Sequence, residues 1–153
     1  MSLDALYQEI ILEHNRKPRN FRVMPDANRK VEGNNPLCGD QITLWVRLDG
    51  DRVADVSFQG IGCAISKASA SMMTAAVKGR TVADARALAE HMHDLVTGKL
   101  DIENEREALG SLAALSGVSK FPIRVKCASL PWHALRSALD EHNAQAVVST
   151  EPS

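Results

Sequence analysis

Between residues 42 and 58 the chain carries a pattern that only one local structure satisfies. Ile42, Leu44, Val46 and Leu48 alternate with other side chains, Asp49-Gly50 follows at once, and Val53, Val56 and Phe58 resume the apolar series. A period of two places one set of side chains on one face of a strand. Asp-Gly between two such runs is a hairpin turn. The change of spacing between Val53 and Val56 predicts a bulge in the returning strand. Gly60-Ile61-Gly62-Cys63 then leads into an Ala/Ser/Met-rich segment whose Ile65, Ala68, Met72, Ala76 and Val77 recur at helical spacing, with Gly79 as its stop. An antiparallel hairpin feeding a helix needs further layers to cover its apolar face, and the rest of the chain supplies them.

Leu3, Leu6, Ile10 and Ile11 predict an amphipathic first helix that ends before Pro18. Residues 16 to 37, with Pro18 and Pro25, read as a long irregular connection. Thr81 is the expected N-cap of a helix with the stripe Val82, Ala85, Leu88, Ala89, Met92 and Val96. Thr97–Arg106 reads as an exposed acidic excursion, and Ala108–Leu115 as a short helix ended by Gly117. Trp132, Leu135, Ala138 and Leu139 mark a last amphipathic helix; Pro131 is expected in its first turn, which would leave Cys127 just ahead of the helix start. Residues 1–143 are read as one domain and residues 144–153 as a flexible C-terminal tail.

Composition removes several function classes. The 18 basic residues are matched by 19 acidic ones, and no basic run tracks a phosphate backbone, so nucleic acid is not the expected partner. Aromatic residues make up 4% of the chain and offer no platform for stacking bases. No window approaches the ~18 apolar residues of a membrane span, and the N-terminal residues do not read as a secretory signal. The expectation is a cytoplasmic protein without membrane contact, whose 3 cysteines serve as ligands or nucleophiles rather than disulfides.

Those cysteines carry the chemistry. Cys38 lies in Gly33-Asn34-Asn35-Pro36-Leu37-Cys38-Gly39-Asp40, Cys63 at a strand-to-helix junction, and Cys127 behind Arg124-Val125-Lys126. A thiol followed by Gly and Asp on a turn can present Sγ and a carboxylate oxygen to one cation, and zinc accepts both ligand types. The partial positive charge of a helix N-terminus favours an anionic sulfur at position 63. The spacing matches none of the compact zinc patterns, so three unrelated buried cysteines, with Gly-Asp as a mere turn, stand as the alternative. Three thiolates and a carboxylate around one divalent ion leave excess negative charge, which Arg124 and Lys126 would offset. His14, His91, His93, His133 and His142 are scattered, and none is a favoured ligand.

Together, Gly33–Asp40, Phe58-Gln59-Gly60-Ile61-Gly62-Cys63-Ala64-Ile65-Ser66 and Arg124-Val125-Lys126-Cys127-Ala128 resemble the IscU/NifU-like iron–sulfur cluster assembly family, most closely its SufU branch. The resemblance runs from the first helix to about His142. It implies an α+β fold, with a small antiparallel β-sheet, helices packed on one side and a metal site at an exposed end. By position, Cys38, Asp40, Cys63 and Cys127 would bind Zn2+. Scaffold-type relatives carry histidine immediately before the third cysteine, where this chain has Lys126, and the segment Thr97 to Lys120 resembles a SufU-type insertion.

The activity implied is that of a zinc-dependent sulfurtransferase. A pyridoxal-phosphate cysteine desulfurase of SufS type would pass persulfide sulfur to Cys38, the catalytic thiol. A histidine of that partner would replace Cys38 at the metal, and Arg124 and Lys126 would contact persulfide or partner. Downstream iron–sulfur assembly proteins would receive the sulfur, and the chain would be a monomer forming transient complexes. The alternative is a scaffold holding iron or a [2Fe–2S] cluster on the same ligands. A structural zinc module fits less well because of Asp40, and a zinc hydrolase because thiolates weaken the metal as an acid.

Overall fold

The computed structural model describes residues 3–36, 39–140 and 145–149. Helix α1 (Leu3–Arg16) is followed by strands β1 (Arg29–Asn35), β2 (Asp40–Asp49) and β3 (Arg52–Ile61), then by helices α2 (Ala64–Val77), α3 (Val82–Val96) and α4 (Ile102–Leu109). A 3₁₀ segment (Gly110–Lys120), helix α5 (Pro122–Ala138) and strand β4 (Gln145–Ser149) complete the order. The fold is α+β. β3, β2 and β1 form an antiparallel meander, and β4 joins β1 in parallel, giving the order β3-β2-β1-β4.

Alternation decides what faces the helices. Ile42, Leu44 and Val46 are buried along β2, and Val31 and Phe58 lie opposite Leu44 on the flanking strands. The hairpin, its Asp49-Gly50 turn and the irregularity predicted in it are present, with the register shift between Arg47 and Leu48. On the other edge of β2, just beyond the last β1 pair, the Asn28 side chain extends the bonding: its amide donates to the Leu48 carbonyl at 2.8 Å and accepts from the Leu48 N–H at 2.8 Å. Helix α2 is buried through Ala68, Ser69, Ala70, Ser71, Met72, Met73, Thr74 and Val77, and its small side chains allow α1 and α5 to pack closely on it. The connection after α1 is tied to α2 by polar contacts. His14 Nδ1 and Ser71 Oγ are 2.7 Å apart, the Arg19 N–H donates to Ser71 Oγ at 2.8 Å, and the Asn20 amide donates to Thr74 Oγ1 at 3.1 Å.

Five expectations are corrected. The connection of residues 16 to 37 contains β1, a polar strand with one large apolar residue, Val31; pairing to β2 and β4 holds it, not its own propensity. Residues of the expected tail form β4, because the edge of β1 offers unpaired backbone groups that a fourth strand can satisfy. The Thr97–Arg106 excursion includes the start of α4, and the next helix is a 3₁₀ segment running past Gly117 to Lys120 with Leu112, Ala113, Leu115 and Val118 buried.

The last correction moves a cysteine. Helix α5 begins at Pro122, so Cys127 lies within it, and Pro131 is an interior residue rather than a first-turn one. Pro131 has no N–H to give to the Cys127 carbonyl, a loss that interior prolines impose on the residue four positions earlier. Burial of Leu130, Trp132, Ala134, Leu135 and Ala138 holds the helix together regardless. Ser69 on α2 adds a bond at the same turn, donating to the Ala128 carbonyl at 2.7 Å and accepting from Trp132 Nε1 at 3.1 Å.

Candidate metal centre

The alternation that buries Ile42, Leu44 and Val46 also places Asp40, the first residue of β2, on the inner face, where it is fully buried. Cys63 is the N-cap of α2 and half-buried; Cys127 projects from the second turn of α5 and is 2% exposed. Three elements therefore deliver one donor each to the same end of the sheet. The two sulfurs and a carboxylate oxygen lie within 4.8 Å of one another, and among the described residues this is the group able to hold a metal ion. Cys38 lies outside the described residues. Arg124 is exposed and sits over the Phe121 ring at 4.6 Å, and Lys126 is half-buried beside Cys127 on α5. No described histidine joins the group: His14 is bonded to Ser71, His91 faces Glu105 at 3.1 Å, and His142 lies outside the described residues.

Backbone geometry brings Asp40 close to Cys63. The Cys63 N–H donates to Asp40 Oδ1 at 2.8 Å, and Cys63 Sγ lies 3.8 Å from Asp40 Oδ2. Gly62 makes this possible. Its φ is +155°, and a Cβ there would overlap the Asp40 carboxylate. Gly60 has the same role against the Gln41 carbonyl, so the Gly-Ile-Gly sequence is read as two points of close approach. Ser66 N–H donates to Cys63 Sγ at 3.4 Å, which gives the sulfur the capping bond of a helix N-terminus.

Sequence reasoning missed Asn35. It is fully buried on the inner face of β1, directly opposite Asp40. Its Nδ2 donates to Asp40 Oδ2 at 3.3 Å and to Cys127 Sγ at 3.5 Å. The signal was available in the alternation Val31, Gly33, Asn35, which continues in register with Leu44, Ile42, Asp40. It was hidden because residues 29–35 did not read as a strand.

The donor chemistry fits a borderline divalent cation. Ligands bound at ~2.0–2.3 Å in a tetrahedron sit roughly 3.5 Å apart, and the Cys63–Asp40 separation of 3.8 Å is already near that. Three donors on three elements leave a further position for a fourth. Cys63 and Cys127 line a groove of about 750 Å³ together with Ile11, Leu12, Phe121 and Ile123. Leu12, Phe121 and Ile123 are exposed apolar side chains at its rim.

Comparison with known proteins defines the class first. Residues 6–144 match the NifU-like N terminal domain. The chain is 46% identical to the zinc-dependent sulfurtransferase SufU of Bacillus subtilis, over 90% of this chain and 92% of that one. It is 42% identical to the iron-sulfur cluster assembly scaffold protein IscU of Streptococcus pyogenes, over 94% of this chain and 89% of that one. A crystal structure described as an iron-sulfur cluster assembly scaffold protein for the SUF system, from Fervidobacterium islandicum, superimposes with a TM-score of 0.81 at 33% identity, covering 91% of this chain and all of that one. The chain belongs to the IscU/NifU-like family as a SufU-type member. None of its described helices is long and apolar enough to cross a membrane.

Proposed function

We propose that this chain is a zinc-dependent sulfurtransferase of iron–sulfur cluster assembly, taking persulfide sulfur from a pyridoxal-phosphate cysteine desulfurase of SufS type onto Cys38. The observation that carries the reading is the convergence of Asp40, Cys63 and Cys127, with ligand atoms within 4.8 Å and Asp40 two residues along the sequence from Cys38. Cys38, Asp40, Cys63 and Cys127 are the residues that would hold zinc. Zinc bound there would keep the sulfurs as thiolates and tie β2, α2 and α5 together.

The transfer is one displacement. The Cys38 thiolate attacks the outer sulfur of the partner's persulfide; a Cys38–sulfur bond forms, the partner's sulfur–sulfur bond breaks, and the electron pair leaves on the partner's cysteine sulfur. Arg124 and Lys126 would hold the resulting anionic sulfur. The apolar rim of Leu12, Phe121 and Ile123 supports a protein partner seated beside Cys63 and Cys127, since such a patch is costly to leave in water. Lys126 in the place of the scaffold-type histidine, and the 97–120 segment, whose 3₁₀ part packs on α1 and α3, favour transfer over cluster assembly. The reading includes a monomer in the cytoplasm that binds the desulfurase transiently and passes sulfur to downstream assembly proteins.

Cys38→Ser tests the acceptor. The variant is expected to fold as the parent does, by circular dichroism, and to lose stimulation of desulfurase turnover. Stimulation retained at the parental level would assign acceptance to another thiol.

A further inference from the structure

Asn35 is a buried polar residue whose placement has a chemical consequence for the metal centre. One NH2 group spans two ligands from different elements, Asp40 Oδ2 on β2 at 3.3 Å and Cys127 Sγ on α5 at 3.5 Å. The other carboxylate oxygen, Oδ1, accepts from the Cys63 N–H at 2.8 Å, so the two oxygens of Asp40 have different donors and the carboxylate cannot rotate without breaking one bond. The main chain of Asn35 acts at the same place: its carbonyl accepts from the Gly39 N–H at 2.9 Å, which ties the end of β1 to the residue before Asp40. Asn35 is fully buried, and a primary amide buried this way is costly unless its hydrogens are used.

We infer that Asn35 is a positioning residue of the metal centre, whose amide binds Asp40 to Cys127 and keeps these two ligands together when Cys38 is engaged elsewhere. The inference rests on reading the Asp40–Cys63–Cys127 cluster as a metal site. Two neutral N–H donors offset part of the negative charge that two anionic ligands bring into a buried pocket, without competing for the metal as a lysine or arginine would compete for the ligands. Aspartate has the same shape as asparagine but would replace both hydrogens by lone pairs and add a charge. Asn34, its neighbour in the strand, lies on the opposite face and takes no part.

The test uses purified full-length protein and two readouts that need neither desulfurase nor persulfide. Zinc affinity is measured by competition with a chromophoric chelator, and the ligand field by the visible bands of the cobalt(II)-loaded protein. Asn35→Asp and Asn35→Ala are compared with the parent, with Asn34→Ala as control. Loss of a hydrogen-bond partner of a metal ligand costs about 10–100-fold in affinity, so both Asn35 variants are expected to bind zinc at least about tenfold more weakly, Asn35→Asp the more so. Both are expected to shift the cobalt bands, and Asn34→Ala to do neither. Zinc affinities within about twofold of the parent, or weaker binding with unshifted cobalt bands, would make Asn35 a packing residue and overturn the inference. A parent that binds no zinc would instead overturn the metal-site reading beneath it. Should Asn35→Asp not fold, Asn35→Ala, which adds no charge, carries the same comparison.

Discussion

Two aspartates on adjacent strands of one sheet meet opposite fates. Asp55 on β3 lies near the surface between cations, with Arg22 at 2.7 Å and Lys78 at 3.3 Å. Partial burial pushes its carboxyl up, but the hydrogen bonds from Arg22, the Val56 N–H and Lys78 more than offset this and hold it below the ordinary carboxylate value. Asp40 on β2 is fully buried, and its described partners are the Asn35 amide, the Cys63 N–H and the Cys63 thiol, none of them a cation. Asp55 is already neutralised by the protein. Asp40 is oriented by the protein without a cation, and on the proposed reading bound zinc would supply the charge; that difference would separate an ion pair from a ligand.

The comparison is broken most severely at the ligand end. Cys127→Ser and Asp40→Ala each remove a donor outright, and zinc affinity is expected to fall by more than the ~10–100-fold that loss of a ligand's hydrogen-bond partner costs; chelator competition reads it. Gly62→Ala comes next. A Cβ at 62 meets the Asp40 carboxylate and strains a positive φ, so a loss of about 1–3 kcal/mol in denaturant unfolding is expected, together with weaker zinc binding. Gly50→Ala, also at positive φ but in open space, should affect stability alone.

Smaller effects mark the surface end and the buried histidine. Burial, and then the charge of Arg19, hold His14 below its ordinary value of 6.5, against a smaller opposing effect of Glu13. The unfolded chain therefore binds more protons than the folded one below pH 6.5, and stability falls as pH drops through that point toward the lowered folded value. His14→Gln should flatten this part of the stability–pH curve, measured by chemical denaturation at a series of pH values. Asp55→Asn should cost least, about 0.2–1 kcal/mol for a partly exposed ion pair. Because the folded pKa is lowered, that contribution is present above the unfolded value of 3.8 and lost as pH falls through the folded one. A large loss of zinc affinity in Asp55→Asn would erase the distinction between the two aspartates.

Local pattern made the hairpin, α1, α2 and α3 legible, because each carries its own periodicity and stop signal, down to Thr81 capping α3 through the Asp84 N–H at 3.1 Å. The residues of the Asp40–Cys63–Cys127 cluster were legible through motifs, since each sits in a stretch whose chemistry is visible alone. What escaped was held by partners distant in sequence. β1 is a strand because β2 and β4 flank it, β4 because β1 offers an edge, and α5 passes through Pro131 because its buried face outweighs one missing bond. Asn35 escaped for the same reason: its meaning depends on a register that local composition does not announce.

The central claim is that Cys38 accepts sulfur at a centre organised by the other three ligands. Its most direct test is to incubate zinc-loaded, iron-free protein anaerobically with the cysteine desulfurase and cysteine, then assign added sulfur to each thiol by intact-mass and peptide mass spectrometry. The account predicts one added sulfur atom on Cys38, formed rapidly and with desulfurase turnover accelerated. Protein that remains unlabelled without iron, but builds a cluster once iron is supplied, would contradict it and make the chain a scaffold.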